Sequence, residues 1–466
     1  NPRFCRSPFE RQGYSHYTRP TRPRQATMLQ SFHLLEKGSS TIDVVEQEPR
    51  TVTLPQRSLP YLILVGLFGL PISFLVSMLD PFLYSEKIRL LAPGTLRNTT
   101  LGLVTLVVLV VALVVQPLVG RWSDRFNSRW GRRVPFLVAG SIGVLLALGV
   151  IVAADSLWLL MIGAMLVSAA SNTIQAAWQA LIPDRVPLAQ RGTAAGIKTV
   201  LELVGAIAGV GLVGYWLARG NLVATPLIAS GLFLLVLLFT IYLCRQSVKA
   251  LPGPGPGGGN PLSRFLRTLI EAPAAFRWLL LNRFLFWAAA IAIRTFLLNY
   301  LEDVIGLTPA ESQALSSRLV ILIGLGVLGL ALPAGFVADK IGRRPILTAA
   351  GIIAATGGVF FISSRAIPML FIGGGLIAAG TAIFASSSWA LATDLSPPSK
   401  GALFPALANI ATILGSMAGR LGGPIIDGLN WLFGTVALGY WVIFAGMILL
   451  FLGSSAVSLK IEETKE

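Results

Sequence analysis

Two residues of opposite charge stand four positions apart in a long apolar run. Lys198 and Glu202 lie within residues 195–217, and residues four apart share one face of a helix. In a fully apolar environment each charge would cost about 3 kcal/mol unless it met a partner or a cavity. One interpretation is a structural salt bridge that hides both charges. The other is that Glu202 exchanges a coupling proton, with Lys198 tuning its proton affinity.

A second pair of opposite charges comes from two distant segments that resemble each other. Asp80-Pro-Phe-Leu and Arg294-Thr-Phe-Leu are 214 residues apart and occupy corresponding places in their apolar runs. We expect a salt bridge between Asp80 and Arg294. The alternative is that each charge reaches separately to the nearest polar surface.

Polar side chains at helical spacing predict a binding wall. One stripe repeats at steps of four, three and four, which keeps its members on one helix face: Ser168, Asn172, Gln175 and Gln179. Amides offer donors and acceptors to hydroxyl groups, and the ring of Trp178 can lie against the apolar face of a sugar. Asn409 begins a similar stripe that ends at Arg420. The alternative is hydrogen bonding between helices, worth about 0.6 kcal/mol per bond.

Two loops place a carboxylate among cationic side chains. Their charged members are Asp124, Arg125, Arg132 and Arg133 in the first loop and Asp339, Lys340, Arg343 and Arg344 in the second. Charge-assisted hydrogen bonds within such a cluster can hold neighbouring helix ends together, which predicts a gate. The alternative is that the arginines only anchor the loops at anionic headgroups.

The composition indicates that helices in a lipid bilayer must position these groups. The chain has 466 residues, of which 54% are apolar and 12% charged, about half the charged fraction of an ordinary soluble domain. Runs of about 20 apolar residues cross a bilayer. Twelve such runs are predicted, at 60–82, 99–119, 134–154, 157–182, 195–217, 223–244, 278–300, 315–334, 346–364, 367–392, 402–425 and 434–458. The sequence therefore predicts an all-α membrane protein.

Charge distribution sets the expected orientation and domains. The loops after even-numbered spans carry several times as many Lys and Arg as the others, which predicts that they and both termini are cytoplasmic. The net charge of +16 then reflects basic loops and does not indicate nucleic-acid binding. We expect a disordered tail at 1–59, six-helix bundles at 60–244 and 278–458, a Gly/Pro-rich linker at 245–277 and a short tail at 459–466. Met28 is a second candidate, besides Asn1, for the start of the chain.

Internal repetition supports the division into two halves. The segment from Gly120 to Arg125 recurs at 335–340, and Trp178-Gln-Ala-Leu-Ile-Pro-Asp184 recurs from Trp389 to Asp394. Both repeats have a spacing of about 210 residues. Two parallel six-helix repeats can rock against each other around a central site, which is the geometry of alternating access.

The repeated loops resemble the signature of the major facilitator superfamily, over everything after about residue 58. Three features resemble the sucrose transporters and the wider glycoside–cation symporter group. They are the longer first loop, Asn172-Thr-Ile-Gln175 and Ala180-Leu-Ile-Pro-Asp184. The resemblance implies two pseudo-symmetric bundles of six helices, with Asp80 and Arg294 as an outer gate and the two charged loops as an inner gate. It implies a transporter of a small-molecule solute, most simply a sugar.

One departure keeps the coupling ion open. The sucrose transporters that this sequence resembles carry an aspartate where this chain has Ser168, so proton coupling is not simply inherited. Glu202 or Asp80 could carry the coupling proton, sodium could replace it, or the protein could be a uniporter.

Two further alternatives are a proton-driven exporter of amphiphilic compounds and an assembly factor of the same fold that transports nothing. Both histidines, His16 and His33, precede the first apolar run, so we expect no metal site, no other cofactor and no enzymatic activity. No nucleotide-binding loop occurs. We expect a monomer in a bacterial inner membrane, since the predicted outer loops are short.

Overall fold

The computed structural model of the chain describes residues 56–92, 94, 96–126, 128, 131–181, 185–187, 190–245, 271–363, 366–395 and 403–462. The predicted tail 1–59 and linker 245–277 therefore lie mostly outside the described residues, as does half of the tail 459–466. The helices are α1 Leu59–Leu91, α2 Arg97–Arg125, α3 Val134–Ala153, α4 Leu157–Gln179, α5 Arg191–Leu217, α6 Ala224–Arg245, α7 Ala274–Asp303, α8 Pro309–Ile341, α9 Arg343–Ser363, α10 Ile367–Asp394, α11a Leu403–Arg420, α11b Gly422–Phe433 and α12 Leu438–Ser458.

Every regular element in the described part of the chain is helical, which confirms the predicted all-α class. A helix satisfies its backbone hydrogen bonds internally, as a chain in hydrocarbon requires. Eleven described helices are long and apolar enough to cross a membrane. The predicted eleventh span, 402–425, corresponds instead to two shorter helices, α11a and α11b. Several spans are longer than predicted, most clearly α8 and α1. In α1, charged residues such as Glu86 and Arg89 continue the helix past the apolar run.

Two helices are interrupted where charged side chains must point between helices. In α1, Asp80 has an extended backbone (φ −113°, ψ 116°), since a residue that precedes proline disfavours the helical conformation and Pro81 follows it. The other break lies between Arg420, the last residue of α11a, and Gly422, the first of α11b. Each break places a charged residue at its edge.

The two halves pack their helices in the same pairs. In the first half α1 packs on α5, α2 on α4, and α3 on α4 and α6. The second half repeats this arrangement with α7 on α11a, α8 on α10, and α9 on α10 and α12. The repeated packing is the structural counterpart of the repeated sequence.

Paired glycines allow the two central helix pairs to approach closely. A β-carbon at Gly205 or Gly209 of α5 would strike the carbonyl groups of Leu70 and Phe74 in α1. In the second half, Gly415 and Gly419 of α11a stand in the same relation to carbonyls of α7, those of Phe284 and Ala288. Small residues four apart are the usual means of such packing in membranes. These contacts fix the positions of Glu202 and Arg420, which lie next to the glycines.

Across the two halves, α5 packs on α8, α2 packs on α11a and α11b, and α7 contacts α1 and α2. The closest approach joins α2 and the break in α11, where Gly423 faces the carbonyl of Asn98. We call the end with the loops between α2 and α3 and between α8 and α9 the basic end. The other end, with the loop between α1 and α2, is the opposite end.

Candidate functional site

A buried ion pair joins the two halves toward the opposite end. The Oδ2 atom of Asp80 lies 2.5 Å from Nη2 of Arg420, and both side chains are nearly enclosed, 12% and 9% exposed. Arg294, the partner expected from the sequence, instead donates from Nη2 to the backbone carbonyl of Asp80 at 3.1 Å. The expected Asp80–Arg294 salt bridge is thus replaced by a pair with Arg420, because the break in α11 brings Arg420 to the carboxylate.

Further polar contacts continue this connection outward. Arg97 Nη1 lies 2.7 Å from Glu302 Oε2, and Ser85 Oγ donates to Asn299 Oδ1 at 2.7 Å. Asn98 donates to Asp427 at 2.9 Å. Together these side chains form what we call the polar seam: Asp80, Ser85, Arg97 and Asn98 from the first half and Asn299, Glu302, Arg420 and Asp427 from the second. The seam holds the halves together at this end.

The residues predicted as an inner gate lie at the basic end. Arg133 Nη2 lies 2.6 Å from Asp124 Oδ1, and Arg343 Nε lies 3.2 Å from Asp394 Oδ2. Each pair joins elements of one half.

The other charged residues of these two loops differ in how exposed they are and in what they contact. Arg125 and Lys340 are exposed, Arg132 is half-buried, and Arg344 donates to the carbonyl of Leu459. The side chain of Asp339 lies outside the described residues. The Arg133–Asp124 and Arg343–Asp394 pairs thus each brace one half.

Lys198 and Glu202 form the ion pair that their spacing predicts. Lys198 Nζ lies 2.9 Å from Glu202 Oε1, and the two side chains are 23% and 28% exposed. The Nζ atom also lies 5.2 Å from the ring centre of Trp178, a favourable distance for a cation–π contact. The pair is therefore only partly enclosed by the surrounding helices.

The ring of Trp178 is fully buried between α1 and α5. Its indole donates to the carbonyl of Val65 at 2.7 Å, and Gly69 leaves the room for its edge. No face of this ring is open to a solute in the present conformation.

The rest of the α4 stripe divides into buried and accessible members. Ser168 is buried and donates to the carbonyl of Val108 in α2 at 2.7 Å, while Asn172 donates to the carbonyl of Ser168 at 2.9 Å. Gln175 is half-buried and Gln179 exposed, as is Asn409 on α11a. The buried end of the stripe thus bonds within the first half, whereas Gln175 and Gln179 remain accessible.

Arg283 is a buried cation that the sequence analysis did not single out. It is 5% exposed and donates to the carbonyl of Ala408 at 3.1 Å, Ser388 Oγ at 2.6 Å and Thr412 Oγ1 at 2.9 Å. Its guanidinium also lies 5.6 Å from the ring centre of Trp389. A charge inside the predicted span 278–300 was the available signal, by the rule that drew attention to Glu202.

A cavity of about 220 Å³ lies between the halves. It is lined by α1 and α5 on one side and by α7, α8, α9 and α10 on the other, with Arg294 as the only charged residue of its described lining. Trp287, Ser77 and Thr381 add three polar side-chain atoms to mostly aliphatic walls. No residue of α4 belongs to this lining, so the cavity is separate from the predicted solute wall.

Two like-folded bundles of membrane-spanning helices, joined by a polar seam at one end, define the class of multi-pass membrane transporters. The chain belongs to the Major Facilitator Superfamily, whose sequence model matches residues 61–329. It is an integral membrane protein and, within that family, it resembles the sucrose and sugar–cation transporters.

Several sugar transport proteins are similar to parts of the chain. The sucrose transport protein SUC3 of Arabidopsis thaliana is 32% identical in a match that covers 29% of this chain and 29% of that protein. The proton-associated sugar transporter A of Homo sapiens is 34% identical over 21% of this chain and 12% of that protein. The chain thus matches less than a third of either relative's length.

Solved structures share the fold over most of the chain. A bacterial homologue of the human lysosomal transporter Spinster, in an inward-facing and unoccupied conformation, has a TM-score of 0.66 at 16% identity, over 88% of this chain and 100% of that one. A D-xylose-proton symporter has a TM-score of 0.64 at 14% identity, over 86% of this chain and 97% of that one. At these identities the likeness establishes the fold alone.

Proposed function

We propose that this chain is a secondary active transporter that moves a sugar or glycoside by alternating access, coupled to a cation. The observation that carries the proposal is the asymmetry of the connections between the halves. The polar seam ties them at the opposite end, whereas the ion pairs described at the basic end each stay within one half. A carrier caught with one gate closed has this pattern.

The orientation of the closed gate follows from the loop charges. Because cytoplasmic loops carry the excess of Lys and Arg, the basic end is the cytoplasmic one and both termini lie on that side. The polar seam is then the outer gate, with Arg420 added to the two residues proposed for it. Asp124, Asp339 and the cations around them are proposed to reach across to the other half when the inner side closes.

Sugar as the solute is supported by the relatives and by the accessible polar groups. Two named relatives are a sucrose transport protein and a proton-associated sugar transporter. Gln175 and Glu202 present amide and carboxylate atoms that hydroxyl groups can bind. Asn409 offers a further amide from the second half.

The coupling ion is proposed to be a proton carried by Glu202. Its carboxylate is partly exposed and forms an ion pair with Lys198 within a membrane-spanning helix. Asp80 is the second candidate, since protonation would break its pair with Arg420 and loosen the seam. Sodium coupling and uniport are the remaining possibilities.

Uptake into proteoliposomes tests the proposal. The purified chain should take up radiolabelled sucrose, or another member of a panel of disaccharides and hexoses, saturably and against a gradient when an inward pH gradient is imposed. A sodium gradient at constant pH distinguishes the two ions, and uptake that ignores both gradients indicates a uniporter. No saturable uptake of any sugar in the panel would contradict the proposal.

A second candidate, export of amphiphilic compounds, is favoured by one observation. The cavity between the halves has mostly aliphatic walls with an aromatic Trp287, which suits an amphiphile better than a polyol. Proton-driven extrusion of a fluorescent amphiphilic dye, with no sugar uptake, would identify this function.

A further inference from the structure

We infer that helix α11b caps the first turn of α2 from the other half of the molecule, and that this turn unwinds when the polar seam opens. The inference rests on the proposed function only in treating the seam as a gate that opens. It concerns Asp427 and Asn430, which are three positions apart on α11b and therefore lie on one helix face. Each of the two bonds the start of a different helix.

The helix α2 begins without a cap of its own. An α-helix leaves its first N–H groups without partners inside the helix, and a polar side chain just before the first turn usually accepts from one of them. In α2 that position is Leu96, whose side chain has no acceptor. By contrast, α4 is capped by Ser156 and α8 by Thr308, each from its own helix start. The start of α2 therefore needs an acceptor from elsewhere.

Asp427 provides that acceptor. Its Oδ2 atom accepts from the backbone N–H of Thr99 at 2.6 Å, and its Oδ1 atom accepts from the side-chain amide of Asn98 at 2.9 Å. Thr99 is the third residue of α2, a position from which a capping side chain normally accepts. Asp427 is buried, and a negative charge at a helix N-terminus is stabilising. Asp427 thus caps a helix of the other half.

Close packing holds α11b against this helix start. A β-carbon at Gly423 of α11b would strike the carbonyl of Asn98, and a β-carbon at Gly102 of α2 would strike the carbonyl of Arg420. Each helix thus contributes one glycine that admits a backbone carbonyl of the other. The carboxylate of Asp427 is thereby held at hydrogen-bonding distance from α2.

The other side chains of the same turn also bind the second half. Arg97 pairs with Glu302 at 2.7 Å, and Asn98 Oδ1 accepts from Asn299 at 2.8 Å. The first turn of α2 therefore depends largely on the second half for its partners.

Asn430 provides a cap that does not cross between the halves. The helix α12 also begins without its own cap, since Ala437 has no acceptor side chain. The Oδ1 atom of Asn430 accepts from the N–H of Gly439, the second residue of α12, at 2.8 Å. Because α11b and α12 belong to the same half, this bond can persist when the halves rock. One helix therefore carries one cap that the gate must break and one that it can keep.

Opening the seam removes the carboxylate from α2. Leu96 cannot replace it, so the first turn is left uncapped at the moment when its side chains also lose their partners. A helix start without these contacts frays. The connection between α1 and α2 then lengthens by about one helical turn, 3.6 residues, in the open state.

Hydrogen–deuterium exchange of the purified full-length protein tests this without transport. The Thr99 amide reports on α2, the Gly439 amide on α12, and the Leu159 amide in α4 serves as the reference. D427L removes the acceptor and should speed exchange at Thr99 at least about fivefold, with Gly439 and Leu159 unchanged. D427N keeps one acceptor oxygen but loses the charge, so its increase should be smaller.

Two further variants separate the cap from the gate. N430A is the matched control and should speed exchange at Gly439 at least about fivefold without affecting Thr99. D80N leaves Asp427 in place but breaks the innermost ion pair of the seam. It should speed exchange at Thr99 at least about fivefold, because the seam opens more often, and leave Gly439 unchanged.

Unchanged exchange at Thr99 in D427L overturns the inference, and so does equal acceleration of all three amides. Acceleration at Thr99 in D427L but not in D80N overturns the coupling of the cap to the gate. No sugar is used, so a failure of the sugar assay leaves these outcomes as they are. If D427L fails to fold, D427N and D80N still decide.

Discussion

The carboxylate of Asp80 and the guanidinium of Arg420, 340 positions apart in the chain, meet at 2.5 Å across the boundary between the two halves. Each stands at a break in its helix, α1 or α11. At each break the helix is interrupted, and the two charged side chains meet between the helices. The pair is therefore the innermost connection of the polar seam.

Removing either member of this pair should destabilise the protein and impair transport. Taking away one partner of a buried ion pair costs about 3–5 kcal/mol, because the other charge stays buried without compensation. Asp80→Asn and Arg420→Gln should each lower the melting temperature in detergent and reduce sugar uptake in proteoliposomes.

Charge exchange identifies the partner. D80R/R420D should recover part of the uptake and stability lost in the single variants, whereas D80R/R294D should recover neither. Recovery by the second exchange alone would contradict the pairing described here.

The sequence predicted the Lys198–Glu202 ion pair but not the Asp80–Arg420 ion pair, and the difference has a physical reason. Lys198 and Glu202 are four residues apart on one helix, so helix geometry alone brings them together. Asp80 and Arg294 correspond in the repeat, which equalises their depth but does not determine which side chains touch. Arg420 reaches Asp80 at the break in α11, where Gly423 packs closely on α2, and neither feature can be read from the repeat.

Burial of Trp178 illustrates the same limit. The sequence places Trp178 beside the polar stripe of α4, where a tryptophan ring could contact the apolar face of a sugar. The missing side chain of Gly69 instead admits the ring between α1 and α5. Helical spacing predicts the face of the helix on which a side chain lies. Whether a neighbouring helix buries that side chain depends on tertiary packing. The two-half architecture, by contrast, follows from apolar runs and repeats that are legible in sequence.

The glycine pairs predict a sharp contrast in stability. Gly209→Ala and Gly419→Ala should each lower the melting temperature in detergent by several degrees, because the new methyl group strikes a backbone carbonyl that cannot move freely. Gly231→Ala is the matched control, since a β-carbon there meets nothing within 4 Å. Its effect should be small and favourable, as alanine is the better helix former.

Equal melting temperatures for the three glycine variants would show that the helices can separate at no cost. The glycines would then not fix the positions of Glu202 and Arg420.

Neutralising Glu202 distinguishes a role of this residue in proton coupling from a role in structural stability. Glu202→Gln should abolish accumulation driven by a pH gradient while sugar exchange at equal concentrations continues, because exchange needs binding but no net proton movement. The melting temperature should change little, since the ion pair is partly exposed and such pairs contribute about 0–1 kcal/mol. Glu462→Gln, at an exposed position near the end of the described chain, is the control.

Loss of both exchange and thermal stability in Glu202→Gln would instead assign the residue a structural role. Asp80 would then be the candidate that remains for the coupling proton.

Arg283 should be intolerant of lysine. Its guanidinium donates to three acceptors on α10 and α11a, a geometry that a single ammonium group cannot reproduce. Arg283→Lys should lower the free energy of unfolding by about 1–3 kcal/mol, the cost of leaving buried acceptors unpaired. Denaturant titration in detergent measures the change, and a variant as stable as the original would show that the three bonds contribute nothing.

A reversible cross-link across the seam tests alternating access itself. Ser85 and Asn299 are buried and their side chains meet at 2.7 Å across the seam, so these are the two positions to replace with cysteine for a disulfide between the halves. In a background with Cys5 and Cys244 replaced by serine, oxidation of S85C/N299C should stop uptake and reductant should restore it. The reason is that transport requires the seam to open once per cycle.

The matched control places the same bond inside one half. Asn282 donates to Ser454 Oγ at 2.9 Å between α7 and α12, so oxidised N282C/S454C links helices that move together. Uptake should continue in that variant, which shows that a disulfide as such is harmless. If fully oxidised S85C/N299C transported at the rate of the reduced protein, the halves would not separate at the seam during transport, and solute would have to cross by another path.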